Sequence, residues 1–157
     1  MGKITDFKTE YNWSFQKTKE FCEKFPNLFH VENQTYDFDV LSLDGERIEI
    51  KWDRKAVSTG NIFVEFLDEV EGKPLERKWK FDFLFYFLIN KNEEIVRAWK
   101  IPVDIIEKIV KNKFFKKVSH DSYRGSRRCR AWGRLVPTGH RILRDYKIDL
   151  QNFAATL

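Results

Sequence analysis

Asp39, Glu49 and Lys51 are the residues of this chain whose types and spacing could do chemistry together: an acid, nine intervening residues, a second acid, and a lysine two residues beyond it. They lie in YDFDVLSLDGERIEIKWD, residues 36–53, where Asp37 adds another acid and the polar side chains alternate with Phe38, Val40, Ile48 and Ile50. Successive side chains of a strand point to opposite faces, so hairpin register decides whether the polar set is gathered or scattered. With a two-residue turn at Asp44-Gly45, Leu43 pairs with Glu46 and Val40 faces Glu49, which sets acidic positions against apolar ones. With a three-residue loop of Leu43, Asp44 and a left-handed Gly45, Ser42 pairs with Glu46, Asp39 with Glu49 and Asp37 with Lys51. The second register puts Phe38 and Val40 on the side of Ile48 and Ile50, and gathers Asp37, Asp39, Glu49 and Lys51 on the other.

Two carboxylates directly across a strand pair repel unless positive charge sits between them. A divalent cation supplies it. Mg²⁺ prefers hard oxygen ligands, keeps several waters and suits two carboxylates, a backbone carbonyl and a phosphate oxygen. A lysine two residues after Glu49 on the same face can then orient a water or offset charge developing on phosphorus.

The elements that must position these groups follow from periodicity. Residues 4–25 read as a helix, with Phe7, Tyr11, Phe15, Thr18, Phe21 or Cys22, and Phe25 recurring at helical spacing until Pro26 and Asn27 stop it. Strands are expected at about 36–43, 46–52 and 61–67, with a loop at Gly72-Lys73-Pro74. FDFLFYFLI, residues 81–89, is apolar on both faces and reads as a central strand, paired through a turn at NKNE with a strand at about 94–100. Pro102 opens a second helix that carries Ile105, Ile106, Ile109 and Val110 on one side. Residues 114–132 read as an irregular basic arm and 133–137 as a short strand. The expected fold is α/β, a mixed central β-sheet flanked by helices.

DVLSLDGERIEIK resembles the signature of the PD-(D/E)XK nuclease superfamily: an Asp at a strand start, a hairpin, then Glu-x-Lys on the next strand. STGNIFVEF, KFDFLFYFL and GRLVP resemble segments of small phage-type and Holliday-junction-resolvase-like members, so the likeness runs from about 36 to 137. It departs from the pattern where Phe38 stands in place of Pro, and where no crossover helix lies between the strands at 61–67 and 81–89. The resemblance implies a restriction-endonuclease-like core and metal-dependent hydrolysis of DNA phosphodiester bonds. Asp39, Glu49 and Lys51 would be catalytic, with Asp39, Glu49 and the Ile50 carbonyl holding Mg²⁺ or Mn²⁺. A further acid from the first helix would be Glu10, with Glu20 its competitor; Glu65 is another candidate participant. A catalytically idle DNA-binding module of the same fold is the alternative.

Charge points the same way. The chain carries +5 overall, but Lys116 to Lys147 alone carries +8, with ten basic and two acidic residues, leaving −3 for the rest. Such asymmetry favours a polyanionic partner, and Arg124, Arg127, Arg128 and Arg130, with Trp132 as a stacking surface, are the candidate DNA contacts. At 157 residues and 42% hydrophobic content the chain suits one domain, 1–157. No apolar run is long enough to span a bilayer and the start is too polar for a secretory signal. Cys22 and Cys129 form no CxxC pair. The expectation is an intracellular, cytoplasmic protein, of phage or viral source if the resemblance extends that far, with DNA as partner, no membrane, and a homodimer as the assembly left open. His30, His120 and His140 are too scattered for a zinc site and read as surface or loop residues. Asp82, within an apolar strand, reads as the partner of Lys78 or Lys80.

Overall fold

The computed structural model describes residues 5–32, 38–76 and 79–156. Asp37 and Lys78 lie outside the described residues, as do the side chains of Glu10 and Arg124. In chain order the elements are β1 (Thr5–Asp6), α1 (Phe7–Glu23), β2 (Leu28–His30), β3 (Val40–Ser42), β4 (Arg47–Asp53), α2 (Ala56–Thr59), β5 (Asn61–Val70), β6 (Lys73–Glu76), β7 (Phe83–Ile89), β8 (Ile95–Pro102), α3 (Val103–Lys111), β9 (Lys116–Arg124), β10 (Arg127–Pro137) and α4 (Arg141–Arg144). A 3₁₀ segment over Leu150–Thr156, kinked at Asn152, follows.

The strands form two mixed sheets, which makes the fold α/β as expected but divides the expected single sheet. The first has the order β2-β3-β4-β7-β8, with β4 and β7 parallel and the other pairs antiparallel. The second has the order β1-β9-β10-β5-β6, with β1 and β9 parallel. The chain leaves the first sheet after β4, builds α2, β5 and β6, and returns at β7, so part of the second sheet takes the place of a crossover helix.

β7 separates two cores, which is why its sequence is apolar throughout. Phe85, Phe87 and Ile89 join Phe21 and Cys22 of α1, Val40, and Ile48, Ile50 and Trp52 of β4. Leu84, Tyr86 and Leu88 join Ile62 and Val64 of β5, Ile105, Ile106 and Ile109 of α3, Val136 and Leu143. Lys147 bridges to Trp99 and the Ile148 N–H donates to the Ala98 carbonyl at 2.8 Å, so the β8 edge is partly covered.

Three expectations need correction. Residues 116–137 are not an irregular arm with a short strand beyond it. They are a β-hairpin in which Arg124 pairs with Arg127 across Gly125-Ser126, and Gly125 takes φ +64°. Gly72 lies in a turn, but Lys73 and Pro74 begin β6, which pairs with the end of β5. Phe38 packs against the Ile62 core, on the opposite side from Val40, because a bend at Asp39 breaks the alternation.

Candidate functional site

The β3–β4 register is that of the three-residue loop. Val40 pairs with Ile48 and Leu41 with Arg47, the Ser42 N–H donates to the Glu46 carbonyl at 2.9 Å, and Gly45 has φ +82°. The ladder ends at Val40, and a bend at Asp39 breaks it, so the register does not continue to a pair between Asp39 and Glu49. The Asp39 N–H donates to the Ile48 carbonyl at 2.9 Å, and Asp39 Oδ2 accepts the Ile50 N–H at 2.8 Å, so the acid is fastened to β4 on both sides of Glu49. A carboxylate oxygen has more than one lone pair, so the bond to Ile50 does not exhaust the group.

β4 sorts its residues by face. Ile48, Ile50 and Trp52 are buried, whereas Glu49, Lys51 and Asp53 are half-buried and pair with Leu84, Tyr86 and Leu88 of β7, on the side facing the second sheet. There Lys51 Nζ lies 4.0 Å from Glu65 Oε1 of β5, with the glutamate the less exposed partner. The structure thus sets Glu49 and Lys51 on one half-buried face with Glu65 of the neighbouring sheet beside Lys51, whereas the Asp39 carboxylate is tied to the Ile50 N–H and acts on Cys22 and His30 on the α1 side.

A buried clasp holds the two sheets at this point. The Tyr86 hydroxyl donates to Asp53 Oδ2 and accepts the Phe63 N–H at 2.9 Å, while Asp53 Oδ1 accepts the N–H groups of Lys55 and Ala56 at 2.7 and 3.0 Å. Burial, then the Asp53 charge, push the Tyr86 phenol well above its ordinary value, so it stays a donor. Asp53 and Tyr86 escaped the sequence reading, although both left a signal. Asp53 extends the Glu-x-Lys alternation by one more step, and Tyr86 is the one hydroxyl in the apolar run 83–89.

His120 of β9, expected at the surface, is exposed but also faces this cluster. Partial loss of water, then Lys55 and Lys51, hold its imidazole below the ordinary histidine value against the opposing pull of Glu65 and Asp121, so the ring is neutral at pH 7. His30, paired with Val40 across β2 and β3, has a buried Nδ1 without a hydrogen-bond partner among the described residues; burial lowers its pKa, with Glu32 and Asp39 opposing.

The hairpin arginines are largely engaged. Arg128 Nη2 and Arg130 Nε bind Asp121 at 2.9 and 2.8 Å, and these bonds hold the Asp121 carboxyl down to about 2. Trp132 Nε1 donates to Glu69 at 2.9 Å, and Lys117 stands 4.8 Å over its ring. Arg127 is exposed. Glu20, on α1, accepts a bond from Gln16 at 3.2 Å. Asp82 binds the backbone and guanidinium of Arg47, at 2.8 and 3.1 Å; Lys78, one of its expected partners, lies outside the described residues.

Among the described residues no group of three or more His, Cys, Asp or Glu side chains is placed to hold a metal ion. The carboxylates of Asp39 and Glu49 and the Ile50 carbonyl are, by type, hard-oxygen donors of the kind Mg²⁺ takes. No helix among the described residues is long and apolar enough to cross a membrane. No family model matches this chain, and no curated protein is significantly similar to it.

Proposed function

We propose that this chain is a metal-dependent deoxyribonuclease with a restriction-endonuclease-like core, hydrolysing phosphodiester bonds of DNA. One observation supports the reading: β4 puts Glu49 and Lys51 on one half-buried face with its apolar positions on the other, and Asp39 Oδ2 accepts the N–H of Ile50, the residue between them.

Asp39, Glu49 and the Ile50 carbonyl would hold Mg²⁺ or Mn²⁺. When bound, such an ion supplies a more acidic water and neutralises phosphate charge. The chain's own residues do the rest. Lys51, steadied by Glu65, places an ammonium where negative charge grows on the phosphoryl oxygens and orients the attacking water. Tyr86 and Asp53 fix the spacing between β4 and β5 that keeps Lys51 and Glu65 together. His120, neutral and nearby, is a proton acceptor within the same face.

The test is a panel of end-labelled duplex, single-stranded and branched DNA incubated with Mg²⁺ or Mn²⁺, and in parallel with chelator. Cleavage that needs the metal and is lost in Glu49→Gln supports the reading. Binding in chelator with no cleavage under any condition assigns the chain instead to the idle DNA-binding alternative.

A further inference from the structure

At the end of the second sheet, where β5 begins and β10 ends, a groove of about 560 Å³ is lined by Asn61, Phe114, Lys116, Leu135, His140 and Arg141 among others. Among the described residues no acidic side chain lines it. Phe114 is 98% exposed, the most exposed large apolar side chain among the described residues. Its turn is braced, because Asn112 Oδ1 accepts the Phe114 N–H at 3.0 Å and Phe115 is buried in the core. Arg134 donates to the carbonyls of Val110 and Phe115 at 3.1 and 3.2 Å, tying both sides of the turn to β10. An aromatic ring is thus held in water on a fixed backbone, beside Lys116 and Arg141, both exposed. His140 Nδ1 accepts the Ile142 N–H at 3.1 Å, which leaves Nε2 as the protonated nitrogen of the neutral ring and so a donor.

Strand register connects the groove to the site. Asn61 pairs with Pro137, Phe63 with Leu135 and Glu65 with Gly133, while Lys116 pairs with Leu135 and His120 with Ala131. Ile62, Val64 and Val136 occupy the opposite face, in the core. Asn61, Leu135 and Lys116 therefore share a face with Glu65 and His120, and four residues of strand separate Asn61 from Glu65, roughly 13 Å. Between them the Phe63 ring lies over Gly133, where a Cβ would come within 2.4 Å of it, so a flat aromatic surface covers that stretch of the face.

We propose that this groove binds a single-stranded segment of nucleic acid, with a base stacked on Phe114 and phosphates at Lys116 and Arg141, and leads it along the sheet face toward Lys51 and Glu65. An exposed flat ring beside unopposed cations is what a base and its phosphates require, and stacking tolerates any sequence. The path toward Lys51 rests on the nuclease reading; the binding site does not.

The experiment measures anisotropy of labelled oligo-dT, oligo-U and a blunt duplex over a salt series in chelator, with wild type, Phe114→Ala and the double variant Lys116→Ala/Arg141→Ala. Phe114→Ala should weaken single-strand binding at least about fivefold while leaving duplex binding and melting temperature unchanged. The double variant should flatten the single-strand salt slope by about 0.7 per cation removed. Loss on either oligonucleotide supports the groove, and the one affected identifies the sugar it accepts. Unchanged single-strand affinity in Phe114→Ala overturns it, as does an equal loss on duplex. If wild type cuts DNA with metal while Phe114→Ala binds normally, the inference alone falls; if Phe114→Ala loses single-strand binding and wild type never cuts, the nuclease reading alone falls.

Discussion

Lys51 sits between two demands: Glu65 attracts it from β5, and Glu49 shares its strand face. A salt bridge at 4.0 Å with a partly exposed lysine contributes little to stability, so its worth under the nuclease reading lies in placing the ammonium. Lys51→Ala should therefore abolish cleavage, melt close to the wild-type temperature, and bind DNA almost as well. A Lys51→Ala protein that cuts at the wild-type rate removes the lysine from the mechanism. Asp121 shows the opposite case, a charge engaged structurally. Arg130 and Arg128 depress its carboxyl pKa, so its stabilisation is present above the ordinary carboxylate pKa of about 3.9 and lost as pH falls toward about 2. Asp121→Asn should be slightly less stable than wild type at pH 5–7 in thermal melts, and the difference should vanish near pH 2.

Among the elements, the β3–β4 hairpin was legible because apolar and polar residues alternate cleanly on β4 and Gly45 is the natural left-handed residue of a three-residue loop. Phe38 was misplaced because the bend at Asp39 is made by hydrogen bonds to β4, which no alternation pattern reports. The β9–β10 hairpin was missed for a different reason. Its strands carry Lys, His, Asp and Arg in adjacent pairs such as Lys116-Lys117, His120-Asp121 and Arg127-Arg128, and their pairing is stabilised by cross-strand charge, Asp121 with Arg128 and Arg130, in place of an apolar stripe. That pairing changes what the arginines should do. Arg128→Ala/Arg130→Ala should lower the melting temperature with little effect on the salt slope of DNA binding, whereas Arg127→Ala should flatten the slope and leave stability alone. The clasp between sheets is an element-scale device too. Tyr86→Phe leaves the Phe63 N–H and Asp53 Oδ2 without the hydroxyl, at about 1–3 kcal/mol in urea denaturation, and should reduce cleavage further than that stability loss explains by loosening Glu65 from Lys51.

At the scale of the molecule, the two-sheet arrangement was hidden from the sequence because β1, β9 and β10 come from opposite ends of the chain and meet β5 only in three dimensions. Its consequence is the candidate site. The first sheet presents Glu49 and Lys51, the second presents Glu65 and His120, and Tyr86 joins them. The positive balance of residues 116–147 falls on the second sheet and the segment after it, so a polyanion attracted there arrives beside the acids of the first sheet. The most direct test of the central claim is the rate of cleavage of labelled DNA by wild type and Glu49→Gln side by side, in Mg²⁺ and in chelator. Metal-dependent cutting by wild type, and none by Glu49→Gln at comparable DNA affinity, is the expected result; equal cleavage by both proteins, or cleavage undiminished in chelator, would contradict a metal-dependent nuclease.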